Sequence, residues 1–86
     1  MDIAGGNGPC SFESCFAELP AGKWAAANAL RFGFIVRYPS GAEQITGYAY
    51  EPWHLRFVGV DAATDISVRG ITMEEYVISV ARPGQQ

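Results

Sequence analysis

The residue pattern changes from helical to extended at a single glycine, Gly33. Residues 20–32 before it are rich in strong helix formers and begin with a proline, which suits the first helical position because its missing N–H is no loss there. Residues 34–38 after it are β-branched or aromatic, which predicts a strand. The chain therefore combines helices with strands, and we expect Trp24 and Leu30 to line the buried face of the helix.

The segment after the first strand predicts a hairpin. Pro39-Ser40-Gly41 is typical of a turn. Residues 45–50 are expected to form the returning strand, and residues 55–58 extend the strand pattern as far as Gly59. Pro52 lies between these two segments, and because a proline cannot donate a ladder hydrogen bond, it predicts an interruption of the hairpin.

Two further helical segments are predicted near the C-terminus. Residues 62–68 can form one or two helical turns, with a glycine just past their end. Thr72 and Glu75 have the spacing of a capping box, in which each side chain accepts a hydrogen bond from the backbone N–H of the other residue. A final helix is therefore expected over residues 73–80.

The composition indicates one small folded unit and excludes two classes of partner. With 49% hydrophobic and 17% charged residues, the 86-residue chain is expected to pack over residues 1–81, followed by a flexible tail at residues 82–86. Its six basic residues are scattered among nine acidic ones, so no basic stripe is available to bind nucleic acid. No apolar run reaches the roughly 20 residues of a membrane span, and the chain shows no signal-peptide pattern.

Cys10 and Cys15 are the two cysteines of the chain. In an oxidising compartment they can close a small disulfide loop. They can also be two buried, reduced thiols. A third interpretation is a pair of zinc ligands, although the second pair of a structural zinc site is missing.

The segment Glu51-Pro52-Trp53-His54 is the candidate for chemistry, because it places the single histidine three residues after a glutamate. An imidazole can bind zinc while a carboxylate takes a proton from the attacking water. In a regular strand, residues three apart point to opposite faces, so Glu51 and His54 converge only if the backbone changes direction at Pro52. The alternative is that His54 is an ordinary packed histidine beside Trp53, since a catalytic zinc normally takes three protein ligands.

Four stretches carry a family resemblance that covers nearly the whole chain. They are residues 32–39 (FGFIVRYP), 45–48 (ITGY), 50–59 (YEPWHLRFVG) and 72–76 (TMEEY). In this order they resemble the C-terminal part of VanY-like D-alanyl-D-alanine carboxypeptidases, which are zinc metallopeptidases. The resemblance implies an α+β fold of the hedgehog/D,D-peptidase type, with a small antiparallel sheet, flanking helices and a truncated N-terminus.

The resemblance also implies a role for each site residue. In this family the E-x-W-H motif supplies a general base and a zinc-binding histidine, which places these roles on Glu51 and His54. Asp2 corresponds to the aspartate ligand that ends an upstream S-x-H-x-x-G-x-A-x-D motif, whose histidine this chain does not contain. Trp53 and Arg56 are expected to contact the substrate, and the implied cofactor is zinc.

The implied function is removal of the terminal D-alanine from peptidoglycan stem peptides that end in D-Ala-D-Ala, in the cell envelope or outside the cell. The cysteines then resemble the pair that some exported relatives carry in the loop after the aspartate, so Cys10 and Cys15 are expected to form a disulfide. Because one ligand is absent, we expect the site of this 86-residue chain to be incomplete. The alternative function is an inactive peptidase-like fragment that binds cell-wall peptide or is only structural.

Overall fold

The computed structural model describes residues 1–4 and 8–81. In chain order, its elements are a 3₁₀ segment Ser14–Glu18, helix α1 Pro20–Asn28, a 3₁₀ segment Ala29–Phe32, strand β1 Phe34–Val36, helix α2 Glu43–Thr46, strand β2 Leu55–Phe57, helix α3 Val60–Arg69 and helix α4 Met73–Ala81. The tail predicted at residues 82–86 lies outside the described residues. None of the described helices is both long enough and apolar enough to cross a membrane.

Strand β2 belongs to a two-stranded antiparallel sheet. Along one edge it pairs with β1, in the register Phe34↔Phe57, Ile35↔Arg56 and Val36↔Leu55. Just before β2, the chain pairs on its other edge with the N-terminal residues, through an isolated antiparallel bridge between Asp2 and His54. The predicted combination of a small antiparallel sheet with flanking helices is confirmed.

The change from helix to strand occurs at Gly33, as predicted. This glycine caps the preceding 3₁₀ segment with a left-handed φ of 86°. A side chain there would have a Cβ 2.8 Å from Cε1 of Phe57 and 3.1 Å from backbone atoms of Gly59. Only glycine meets both the conformational and the steric requirement, so β1 can begin immediately after the helical segment.

The buried face of α1 differs from the prediction. Trp24 is 56% exposed, so its expected place in the core is wrong. Ala25 of α1 and Ala29, the first residue of the following 3₁₀ segment, are buried instead and pack against Leu55 of β2, and Leu30 is partly buried in a second cluster. Two alanines four residues apart share one face and let the helix approach the sheet closely, whereas Trp24 lies about 100° around the helix from that face.

The prediction of a strand at residues 45–50 is also wrong. Helix α2 occupies the start of this segment, and the Ala42 carbonyl accepts hydrogen bonds of 2.9 Å from the backbone N–H groups of both Ile45 and Thr46. Beyond the helix, the hydroxyl of Thr46 accepts a hydrogen bond from the backbone N–H of Tyr48 at 3.1 Å. These local bonds satisfy the backbone without a neighbouring strand, and they outweigh the β-propensity of the side chains.

The two C-terminal helices are confirmed, and α3 is longer than predicted. Ala63 and Ile66 of α3 pack against Ile35 of β1 in the second core cluster. Helix α4 begins with the predicted capping box: Thr72 donates its backbone N–H to Oε1 of Glu75 at 2.9 Å, and Glu75 donates its backbone N–H to Oγ1 of Thr72 at 3.1 Å. Helix α3 therefore packs beside the sheet, and the capping box fixes the residue at which α4 begins.

Candidate active site

The segment Glu51-Pro52-Trp53-His54 forms a tight turn that precedes β2. The backbone N–H of His54 donates to the carbonyl of Glu51 at 3.1 Å, with Pro52 at the second position, where its fixed φ suits a β-turn. The turn brings Oε1 of Glu51 to 3.3 Å from Nδ1 of His54. The predicted change of backbone direction at Pro52 is confirmed, and it is what makes the two side chains converge.

Two hydrogen bonds from the end of β1 hold the two ends of this turn. The backbone N–H of Arg37 donates to the carbonyl of His54 at 2.9 Å, and the backbone N–H of Glu51 donates to the carbonyl of Tyr38 at 2.9 Å. The first and last residues of the turn are therefore both fixed to the two residues that follow β1. This arrangement limits the relative movement of the Glu51 and His54 side chains.

The N-terminal segment brings a second carboxylate to the histidine. The backbone N–H of Ile3 donates to the carbonyl of Trp53 at 2.9 Å, and the backbone N–H of Leu55 donates to the carbonyl of Met1 at 2.7 Å. These bonds flank the Asp2–His54 pair, which is the type of antiparallel pair whose side chains approach most closely. Oδ1 of Asp2 lies 3.8 Å from Nδ1 of His54.

The geometry around Nδ1 of His54 fits a zinc ion with small adjustments. Zinc held at about 2.0–2.2 Å by a nitrogen and an oxygen in tetrahedral geometry keeps these atoms about 3.3–3.5 Å apart. The observed 3.8 Å between His54 and Asp2 is a few tenths of an ångström longer. The side chains of His54 and Glu51 are 33% and 25% exposed, so both are reachable from solvent. Glu51 lies beside the same nitrogen, where a carboxylate can exchange a proton with a water molecule.

Aromatic side chains pack around the turn and the His54 imidazole. Trp53 is 9% exposed, and its ring meets that of Phe12 edge-on, with centroids 6.0 Å apart. The ring of Tyr38 meets the His54 imidazole edge-on at 5.3 Å and stacks on Tyr48 at 4.4 Å. The predicted site residues do not include Phe12 or Tyr38. The strand register would have indicated Tyr38, because it follows β1 directly opposite the turn.

Arg56, the other residue predicted to contact the substrate, lies outside the Asp2–Glu51–His54 cluster. Arg56 is exposed and pairs with Ile35 in the sheet. It lies two residues after His54, so strand alternation places both side chains on the same face, about 6–7 Å apart along the strand. This distance is within the reach of a long side chain such as that of arginine.

Cys10 and Cys15 are joined by a disulfide bond, with their Cα atoms 5.4 Å apart. With Glu13 they form a group of potential metal ligands whose ligand atoms lie within 4.8 Å of one another. The sulfur atoms are bonded to each other, however, and a cysteine binds metal as a thiolate. In the disulfide state this group therefore offers a metal only one carboxylate.

Comparison with known proteins adds a family match and several curated relatives. Residues 1–60 match the protein family described as VanY, D-alanyl-D-alanine carboxypeptidase. The putative carboxypeptidase YodJ of Bacillus subtilis (strain 168) is 44% identical over 82 residues, which are 95% of this chain and 30% of YodJ. A D-alanyl-D-alanine carboxypeptidase of Enterococcus faecalis (strain ATCC 700802 / V583) is 51% identical over 55 residues, 64% of this chain and 20% of that protein. The chain thus spans less than a third of the length of these relatives.

Solved structures share the fold at high sequence identity. The LdcB LD-carboxypeptidase matches 77% of this chain and 31% of its own, with a TM-score of 0.74 and 48% identity. VanYB in complex with D-alanine-D-alanine matches 69% of this chain and 33% of its own, with a TM-score of 0.67 and 47% identity. A mutant of the vancomycin-resistance D,D-pentapeptidase VanY in complex with Zn(II) matches 65% of this chain and 32% of its own, with a TM-score of 0.64 and 50% identity.

Proposed function

Because this chain belongs to the VanY family of D-alanyl-D-alanine carboxypeptidases, we propose that it contributes to a zinc-dependent peptidase site that cleaves the terminal D-alanine from peptidoglycan stem peptides. The observation that carries this proposal is the turn at residues 51–54. It places one carboxylate 3.3 Å from Nδ1 of the single histidine, while the N-terminal bridge places another at 3.8 Å. Similarity to VanYB, solved with D-alanine-D-alanine, supports the choice of substrate.

In the proposed site, Asp2 and His54 hold the metal. They provide two of the three protein ligands that a catalytic zinc normally takes, so we expect the 86-residue chain to bind zinc more weakly than a site with three ligands. Bound zinc would activate a water molecule and polarise the substrate carbonyl. Similarity to a VanY structure that contains Zn(II) supports this choice of metal.

Glu51 is the proposed general base. Its carboxylate accepts a proton from the attacking water at Oε1 or Oε2 and then donates it to the amine of the departing D-alanine. The turn holds this carboxylate next to the imidazole, so little reorganisation is needed before proton transfer. Trp53 shapes the wall of the site, and Arg56 is positioned to attract the negatively charged end of the peptide.

The proposed location of this activity is the cell envelope or the outside of the cell. Peptidoglycan is the proposed substrate, and the disulfide between Cys10 and Cys15 is of the kind that persists in oxidising compartments. A test is the thiol state of the protein isolated from its own cells without reductant. A fully reduced pair would contradict the proposed location.

The test of the function combines zinc content with release of D-alanine from a peptide that ends in D-Ala-D-Ala. Glu51→Gln should abolish zinc-dependent release and retain zinc, whereas His54→Ala should lower zinc binding and release together. Glu43→Gln is a matched control, because Glu43 is an exposed glutamate of α2 and should change neither quantity. Release that does not depend on Glu51, or zinc binding that is equal in the His54→Ala variant, would refute the proposed roles.

A further inference from the structure

An ion pair outside the proposed site connects helix α4 to the segment after β1 that holds the turn. Nη1 of Arg37 lies 3.0 Å from Oε1 of Glu74, and Nη2 lies 2.9 Å from Oε2. Both groups are largely shielded, with side-chain exposures of 19% and 30%. The hydrogen bond from Arg37 holds the pKa of the Glu74 carboxyl below its ordinary value. Two parallel bonds between planar groups fix orientation as well as distance.

Arg37 is also in contact with the structure around His54. Its backbone N–H donates to the carbonyl of His54 at 2.9 Å. Its guanidinium lies over the ring of Tyr38, 4.8 Å from the ring centroid. That ring in turn meets the His54 imidazole edge-on at 5.3 Å. The contacts therefore form a continuous path from Glu74 to the imidazole.

We propose that Glu74 is a positioning residue, which fixes the orientation of the His54 imidazole through Arg37 and the ring of Tyr38. Glu74 does not contact His54. It holds the guanidinium in place, and the guanidinium keeps the tyrosine ring against the imidazole. The relevance to zinc rests on the proposed function, in which His54 is a metal ligand, whereas the effect on the imidazole itself requires no metal.

Arg37 and Tyr38 also hold the two ends of the turn through backbone hydrogen bonds, so the path from Glu74 reaches the turn as well as the imidazole. If the ion pair is lost, the guanidinium regains rotational freedom and Tyr38 loses the cation on one face of its ring. The other face remains stacked on Tyr48, so we expect a displaced tyrosine ring and not an unfolded strand. The predicted effect is therefore local to the imidazole and the turn.

The experiment observes the imidazole directly in the metal-free chain. His54 is the single histidine, so its ring ¹H and ¹⁵N NMR signals can be assigned without ambiguity. Glu74→Gln and Arg37→Lys each remove the two-point ion pair, and both should shift the His54 ring signals. Asp65→Asn is the matched control, because it removes the exposed ion pair between Asp65 and Arg69 within α3.

The NMR readout separates positioning from stabilisation. A variant that only lowers the free energy of unfolding changes the fraction of folded molecules, but it leaves the chemical shifts of the folded state in place. Ring signals that are unchanged in both Glu74→Gln and Arg37→Lys would overturn the inference. An equal shift in Asp65→Asn would overturn it as well, since the effect would then not depend on this ion pair.

Zinc affinity, measured by competition with a chromophoric chelator, tests the link to the proposed function. We expect Glu74→Gln to weaken zinc binding about tenfold, the lower end of the range for groups that orient metal ligands, while Asp65→Asn leaves it unchanged. If the unmodified chain binds no zinc but its ring signals shift in the variants, the proposed function fails and the positioning role stands. If zinc binds equally to all variants and the ring signals do not move, the positioning role fails and the proposed function stands.

Discussion

Replacing Gly33 by alanine tests whether the junction between helix and strand is fixed by conformation alone or also by close packing. The left-handed φ of 86° costs an alanine about 1–2 kcal/mol. The new Cβ would also lie 2.8 Å from the ring of Phe57 and 3.1 Å from backbone atoms of Gly59. The ring is 61% exposed and can turn away, but the backbone cannot, so we take the lower part of the overpacking range, about 1–2 kcal/mol.

The total expected loss in the free energy of unfolding is therefore about 2–4 kcal/mol. Gly47→Ala is the matched control, because Gly47 has a φ of 81° and no atom within 4 Å of the added Cβ. It should lose only the conformational part, about 1–2 kcal/mol. Urea unfolding followed by circular dichroism measures both values, and each kcal/mol should lower Tm by about 4–8 °C. Equal losses in the two variants would refute the claim that close packing at Gly33 matters.

Three further predictions concern stability. The pKa of Glu74 lies below its ordinary 4.5 in the folded chain, so its stabilisation is complete above that pH and is lost as pH falls through the lower, folded value. Glu74→Gln should therefore remove about 0.5–1 kcal/mol at pH 7 and little at pH 2, as measured by urea unfolding. Thr72→Ala breaks the capping box and should cost about 0.5–2 kcal/mol, whereas Thr64→Ala on the exposed face of α3 should cost less; equal thermal shifts would contradict this. Reduction of the Cys10–Cys15 bond, checked by mass, should cost about 2 kcal/mol for such a short loop, and an unchanged Tm would count against it.

The features that could be predicted from the sequence are those that depend on neighbouring residues. Gly33 ends one element and begins another because of its own φ, and the capping box joins Thr72 to Glu75 across one helical turn. The convergence of Glu51 and His54 belongs to the same class, since a four-residue turn with proline at its second position produces it. In the capping box and in the turn, a few consecutive residues contain all the interacting groups.

The features that could not be predicted depend on packing between distant segments. Trp24 was a reasonable core residue by hydrophobicity, but α1 approaches the sheet on its alanine face, and the sequence of α1 alone does not specify that face. The segment at residues 45–50 has strand propensity, yet its local hydrogen bonds favour a helical turn. Phe12 contacts Trp53 through tertiary structure, so no pattern close to His54 indicates it, whereas Tyr38 could have been inferred only from the strand register.

The bridge between Asp2 and His54 forms only when the chain is folded. Binding of one metal ion by both residues therefore depends on folding. These residues are separated by most of the chain, so an unfolded molecule rarely holds both groups together. A metal that binds both would favour the native state by mass action, by about 2.7 kcal/mol at a free concentration 100 times Kd. The Tm of the chain should then rise with zinc concentration, and the same titration on an Asp2→Asn variant would show how much of that rise the bridge provides.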